Sequence, residues 1–214
     1  MAEKQVLTAG QTPCNMQPNH MSTTTLMTSI AKWVSIVAHP FVMVAIMIAV
    51  AGSHFASDTE LLYPLLLVLA IVLVPTSILM FVQVRRKRWS NTDASNISER
   101  PLLLMVILFA LMVLLGFLVL KDPHSFLIKG VFISGLMVFI ALVGTRWAKI
   151  SIHMAFAGLA CTLLCILGSI VGYFLLAVIP VLAWSRITLK RHRPHELILG
   201  LALGVIAGIA LGYG

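Results

Sequence analysis

Residues 184–200 read Trp-Ser-Arg-Ile-Thr-Leu-Lys-Arg-His-Arg-Pro-His-Glu-Leu-Ile-Leu-Gly. This segment joins two apolar runs and places cations, two histidines and a carboxylate within a few turns of chain. A cation cluster of this kind at a membrane surface suits a substrate that carries phosphate. It equally suits a cytoplasmic loop that only anchors the topology of the chain. The rest of the sequence has to separate these two interpretations.

The composition is that of an integral membrane protein. Of the 214 residues, 60% are hydrophobic and only 10% are charged. Soluble domains are about 45–50% apolar and about 25% charged, so this excess is too large for one soluble core to bury. The net charge of +8 does not indicate nucleic-acid binding, because no nucleic-acid motif accompanies the basic residues.

Apolar runs separated by polar loops predict an all-α, polytopic membrane bundle of six to seven spans within residues 29–214. The polar residues 1–28 predict a disordered tail and not a signal peptide. His39-Pro40 and Pro75 predict kinks, and His39 is interpreted as a packing residue beside its kink. The predicted spans are 29–52, 61–82, 101–120, 126–145, 152–167, 170–184 and 195–212.

The apolar stretch 153–184 decides how many times the chain crosses. As one helix it would be about 48 Å long, which exceeds the roughly 30 Å hydrocarbon core, so a turn is predicted at Gly168. That turn puts three basic loops, at 83–100, 146–152 and 185–194, on one face with the N-terminus. The positive-inside rule makes this face cytoplasmic, in a bacterial inner membrane. These loops hold most of the lysines and arginines: Arg85, Arg86, Lys87, Arg88, Arg100, Arg146, Lys149, Arg186, Lys190, Arg191 and Arg193.

Two small-residue patterns predict helix packing. Cys161 and Cys165 lie in an apolar run without partners at metal-ligand spacing, and we interpret them as packing residues. The last span carries a glycine at every fourth position, which allows close approach of another helix. That face is expected to pack inside the bundle, and it also predicts a homo-oligomer contact through the last span. The glycines are Gly200, Gly204, Gly208 and Gly212.

Each basic loop leads into the start of a span. Pro101 and Pro194 suit a first helical position, and Ser151 suits an N-cap. Helix N-termini present unpaired N–H groups and a partial positive charge. Three such starts flanked by Arg or Lys predict an anion site if the bundle brings them together, and substrate phosphate fits it better than a carboxylate does.

The chemistry of that site needs a nucleophile and a general acid. His192 is the candidate nucleophile, because Glu196 four residues later could hold Nδ1–H and leave Nε2 free to attack phosphorus. His153 could then protonate the leaving oxygen. Arg191 and Arg193 are expected to lower the pKa of His192, and Glu196 to raise it. Taken singly, His192 or His195 is more simply an interfacial residue of a cationic anchor loop.

In this order the residues resemble the type 2 phosphatidic acid phosphatase superfamily, of which the chain looks like a divergent member. The family signature has three parts: Lys, six residues, Arg-Pro; then Pro-Ser-Gly-His; then Ser-Arg, five residues, His, three residues, Asp. The resemblance covers about 93–200 and is fullest in the third part. The matching residues are Arg100, Pro101, Ser151, His153, Ser185, Arg186 and His192.

The chain departs from that signature at four positions. Asp93 stands where the first part has lysine, and Ile150 and Ile152 replace the proline and glycine of the second. Glu196 replaces the aspartate, which keeps the carboxylate and adds a methylene. Lys149 or Lys190 could supply the phosphate contact that the missing lysine would make.

The resemblance implies a lipid phosphate or lipid diphosphate phosphatase, acting on phosphatidic acid, phosphatidylglycerophosphate or a polyprenyl diphosphate. It implies that His192 forms a phosphohistidine, that His153 is the general acid and that Glu196 orients His192. It implies phosphate binding by Arg100, Ser151 and Arg186, to which we add Lys149. No metal or cofactor is implied, and the expected partner is a membrane lipid that reaches the site sideways from the bilayer.

Two other function classes stay open at this stage. The first is a small membrane transporter or channel subunit with a cationic mouth, for which few polar residues lie within the predicted spans. The second is an inactive member of the same family that binds anionic headgroups through its basic face. Release of phosphate from a lipid phosphate by the purified protein would separate an enzyme from both.

Overall fold

The computed structural model describes residues 23–55, 62–89, 96, 98–125 and 127–213, and every regular element in them is helical. The all-α prediction is confirmed for this part of the chain. A π-helical segment (Leu69–Leu73) separates α3 from α4. The helices are α1 (Thr23–Val37), α2 (Pro40–Phe55), α3 (Leu62–Val68), α4 (Val74–Arg85), α5 (Arg100–Lys121), α6 (Leu127–Gly144), α7 (Ile152–Ile166), α8 (Ile170–Thr188) and α9 (Pro194–Tyr213).

Five helical stretches in the described residues are long and apolar enough to cross a bilayer, with α3 to α4 counted as one stretch of 24 residues. The bent pair α1 and α2 would make a sixth span. α7 has only 15 residues, fewer than the roughly 20 that a crossing needs. By helix length, the described residues therefore provide five or six spans and not a seventh. These apolar helices indicate an integral membrane protein.

The prolines break the helices where the sequence predicts kinks. α1 and α2 meet at His39-Pro40 and are bent by 42° relative to each other, because proline lacks an N–H and restricts the residue before it. Before Pro75 the chain forms the π-helical segment, a wider turn that accommodates the missing donor. Thr76 Oγ1 donates to Val72 O in this region at 2.6 Å.

The start of α1 lies earlier than predicted. α1 begins at Thr23, so the last residues of the predicted tail are helical, whereas residues 1–22 lie outside the described part of the chain. α1 packs along the end of α8, where Ser185 Oγ donates to Ala31 O at 2.6 Å. The first six residues of α1 include four threonines, a β-branched type with low helix propensity, so their composition did not indicate a helix.

The predicted turn at Gly168 is confirmed. Gly168 has a φ of 70°, a left-handed conformation that glycine adopts without steric cost. Ser169 N donates back to Leu164 O at 2.9 Å, which closes the C-terminus of α7. α8 then returns alongside α7, and Cys161 Sγ lies 3.5 Å from Gly172 O between them. Cys161 and Cys165 are free cysteines, as their interpretation as packing residues requires.

The glycine face of α9 packs against α7 of the same chain. A Cβ at Gly204 would lie 2.0 Å from Ala155 O, and one at Gly200 would lie 2.4 Å from Ser151 O. The backbones of α7 and α9 therefore touch, as the glycine repeat predicts. This face is thus occupied within the chain, and the homo-oligomer contact expected through the last span stays a prediction.

The three basic loops meet at one end of the bundle. Arg100, at the end of the first loop, donates through Nη2 to Ile150 O in the second loop. Lys149 Nζ of the second loop donates to Arg191 O of the third at 2.7 Å. The sequence prediction that these loops share one face therefore agrees with the fold.

Candidate functional site

The best-defined contact at this end joins His192 and Glu196. His192 lies in the loop after α8, and Glu196 lies in the first turn of α9, so the loop geometry brings their side chains together. His192 Nδ1 is 2.8 Å from Glu196 Oε2, which also accepts from Arg193 N at 3.1 Å. Because a carboxylate only accepts, we assign the hydrogen to Nδ1, which leaves the lone pair on Nε2.

His192 is held in its neutral form. Burial lowers the pKa of His192 most strongly, and the charges of Arg186, Arg100 and Lys149 lower it further. A hydrogen bond with the backbone of Lys149 acts in the opposite direction, but burial and the three cations outweigh it. The sequence attributed this effect to the neighbours Arg191 and Arg193, whereas the acting cations come from other elements.

Arg100 and Ser151 place unpartnered polar atoms beside this pair. Arg100 is buried at the start of α5, and its Nη1 has no hydrogen-bond partner among the described residues. Ser151 occupies the predicted N-cap position of α7, but its side chain makes no capping bond and its buried Oγ has no partner in the described chain. Buried donors without partners are rare in proteins, and such groups often await a ligand.

His153 is buried in the first turn of α7, and its Nε2 lacks a partner within the described residues. Arg186 is almost fully buried in the last turn of α8, where Nη1 donates to Ser35 Oγ of α1 at 2.8 Å. That bond orients the guanidinium toward the bundle interior. Both residues were candidates from the sequence, and neither faces the outside of the bundle.

Four of the candidate residues line a single cavity of about 120 Å³: Arg100, His153, Arg186 and His192. Two guanidinium groups, a candidate nucleophile and a candidate acid therefore share one space. Glu196 and Ser151 stand behind this lining and are joined to each other, since Ser151 N donates to Glu196 O at 3.1 Å. The arrangement can hold an anion against His192.

Lys149 does not lie on the cavity wall. Its ammonium donates to Arg191 O, so it joins the second basic loop to the third. Burial lowers the pKa of Lys149, and the charge of Arg100 lowers it further. Lys149 is not among the residues that line the cavity, and its phosphate contact stays a prediction. Asp93, where the family signature has lysine, lies outside the described residues.

The structure adds His39, which the sequence interpretation took as a packing residue. His39 lines the same cavity, and its ring lies 5.2 Å from the ring of His153 in an edge-to-face arrangement. Its signal in the sequence is an ionisable residue inside an apolar run, directly before a helix-breaking proline. Ionisable residues within spans are expensive to bury and commonly mark functional sites.

The described residues contain no group of three or more His, Cys, Asp or Glu side chains that could hold a metal ion. Comparison of the chain with known protein families, with characterised proteins and with solved structures finds no match.

Proposed function

We propose that the protein is an integral membrane phosphatase that removes phosphate from a lipid phosphate or lipid diphosphate through a phosphohistidine. The observation that carries the proposal is the 2.8 Å contact between His192 and Glu196 on a cavity shared with Arg100, Arg186 and His153. An oriented neutral imidazole facing two buried guanidiniums is suited to attack on phosphorus.

The reaction follows from the roles of these groups. Nε2 of His192 attacks phosphorus, forming a P–N bond as the P–O bond to the lipid breaks, and His153, protonated beside the negatively charged phosphate, gives a proton to the leaving oxygen. The cation formed on His192 is stabilised by Glu196. Water then attacks phosphorus and gives a proton to His153, and the P–N bond breaks to release phosphate. Arg100 and Arg186 bind the phosphoryl oxygens in both steps.

The shape of the cavity supports a substrate with a hydrocarbon chain. Its wall continues from Arg100 along α5 to Leu114, about 21 Å for a helix that rises 1.5 Å per residue. Between these ends the lining is almost entirely apolar and is supplied by α2, the stretch from α3 to α4, α5, α6 and α7. A headgroup at the charged end would leave its chain inside the bundle.

One observation favours a transporter as the second candidate function. A second cavity of about 510 Å³ at the opposite end of the bundle shares four lining residues with the first. The two cavities therefore adjoin toward the end of the bundle opposite the basic loops and together follow its depth. The shared residues are Met47, Ile48, Leu127 and Gly130. A path of this kind suits either a long lipid chain or movement of an amphiphile.

The function is tested by phosphate release from the purified protein with phosphatidic acid, phosphatidylglycerophosphate and a polyprenyl diphosphate. We expect release from at least one of these, at the same rate with and without a metal chelator. Release no faster than from an inactive His192 variant would refute the enzyme. Flux of the same lipid across proteoliposomes without hydrolysis would then establish the transporter.

We further propose that the basic end faces the cytoplasm of a bacterial inner membrane, since the positive-inside rule places most lysines and arginines there. In a cysteine-free background, a cysteine at Lys190 should react with an impermeant maleimide only after the cells are permeabilised. A cysteine at Lys121, at the other end, should react in intact cells. The reverse pattern would invert the orientation.

A further inference from the structure

His39 is held in one tautomer by the helix that follows it. The residue occupies the break between α1 and α2, and its Nδ1 accepts from Phe41 N at 3.3 Å. The ring thus caps the start of α2, where N–H groups otherwise lack partners. Because Nδ1 is an acceptor here, the hydrogen of the neutral ring lies on Nε2.

The orientation of this ring is fixed by two aromatic contacts. The His39 and Phe41 centroids are 4.6 Å apart at an interplanar angle of 72°, and those of His39 and His153 are 5.2 Å apart at 84°. Both are edge-to-face arrangements, which are favoured for aromatic pairs. Nε2 of His39 has no hydrogen-bond partner among the described residues, although the ring lines the charged end of the cavity.

We propose that Nε2–H of His39 donates a hydrogen bond to a phosphoryl oxygen of the bound substrate, beside His153. The inference deepens the proposed function and rests on it. Arg100 and Arg186 already supply two positive charges to the cavity, so a neutral donor completes the oxygen contacts without adding a third. His39 is then a substrate-binding residue, carried to the site by the break at Pro40.

Two substitutions separate this role from capping. His39→Gln keeps an N–H group near the position of Nε2 and loses the acceptor near Nδ1. His39→Asn keeps an acceptor for Phe41 N, and its shorter side chain cannot reach the position of Nε2. If His39 is a donor to phosphate, His39→Gln should bind phosphate nearly as the wild type does and His39→Asn should bind it more weakly. If His39 only caps α2, the order of the two variants should be reversed.

The measurements are the KM for the lipid phosphate, the inhibition constant of orthovanadate, and calorimetric binding of inorganic phosphate, which needs no turnover. Loss of a hydrogen bond to the charged phosphate should raise the KM, the vanadate inhibition constant and the phosphate dissociation constant of His39→Asn by about 10- to 100-fold. His39→Gln should stay within a few-fold of the wild type. Equal effects, or a larger effect of glutamine, would overturn the proposal.

The phosphate-binding measurement also separates this inference from the proposed function. Suppose that the wild type binds inorganic phosphate, and that His39→Asn weakens this binding while His39→Gln does not. The donor assignment then stands even without lipid hydrolysis. In that case the enzyme proposal alone fails. If the wild type binds neither inorganic phosphate nor orthovanadate, the donor assignment falls together with the enzyme.

Discussion

His192→Ala should abolish release of phosphate from the lipid substrate while leaving the protein folded and in the membrane. His192 is in the loop after α8, and its side chain is hydrogen-bonded to Glu196. Its removal takes away the atom that forms the P–N bond, and within the described part of the chain no other histidine of the cavity is paired with a carboxylate that could stabilise the cation. Activity is measured as phosphate release, and retained folding as a monodisperse elution of the detergent-solubilised protein.

Glu196→Gln should slow the reaction by about 10²- to 10⁴-fold, as expected when an oriented histidine loses the partner that fixes its tautomer and stabilises its cation. The amide keeps the size of the side chain and can still accept from Arg193 N, so the loop is retained. His195→Ala is the matched control, because His195 is exposed and adjoins the same motif. Its activity should stay near that of the wild type.

Two results would contradict this assignment. If His195→Ala proved as damaging as His192→Ala, the nucleophile would be misassigned. If neither variant changed hydrolysis of a lipid phosphate, the histidine mechanism would be wrong. If the wild type bound phosphate without any turnover, the inactive, anion-binding alternative would be favoured. Wild-type protein quenched in alkaline denaturant, which preserves the acid-labile P–N bond, should also carry phosphate on nitrogen, and protein from His192→Ala should carry none.

Gly130→Leu should block long-chain substrates selectively. Gly130 lies where the two cavities adjoin, and the nearest atom to an added Cβ is Leu211 Cδ2 at 4.0 Å, so the new side chain would fill open space. We expect the kcat/KM for a long-chain lipid phosphate to fall by about 10- to 100-fold, the range set by the cost of overpacking. A short-chain, water-soluble analogue should react within about twofold of the wild type.

Gly135→Leu is the control for that substitution, because it lies on the same helix and an added Cβ there meets no atom within 4 Å. It should leave both substrates unaffected. Equal loss for long and short chains in Gly130→Leu would mean that the substitution disturbs the charged end. No loss for either would show that the hydrocarbon chain lies outside the bundle.

The framework of the bundle was predictable because its signals are local. The break at His39-Pro40 and the turn at Gly168 follow from the backbone chemistry of proline and glycine, which acts whatever surrounds it. The meeting of the basic loops was predictable for a different reason, since crossing number fixes which loops share an end. Contact between His192 and Glu196 needed only their spacing at a helix start.

The partners of side chains from distant elements were not predictable. From the sequence, the Lys149 ammonium could contact either the phosphate or the third basic loop. It donates to Arg191 O because of the path that the third loop takes in the folded chain. The pKa of His192 depends on cations from α5 and α8, which no sequence spacing relates to it. His39 was missed because a histidine directly before a proline is readily interpreted as a packing residue at a kink. Its position beside His153 depends on how α2 packs, which the sequence does not show.

The contact between α7 and α9 bears on how the site can move. A Cβ added at Gly204 would lie only 2.0 Å from Ala155 O, so no lipid fits between these helices, which together carry His153 and Glu196. α5 is joined to this pair at the basic end by the bond from Arg100 to Ile150 O, and the cavity separates them below it. Admission of a chain would therefore displace α5 and α6 below that bond, and the distance between His153 and the carboxylate that orients the nucleophile would stay constant.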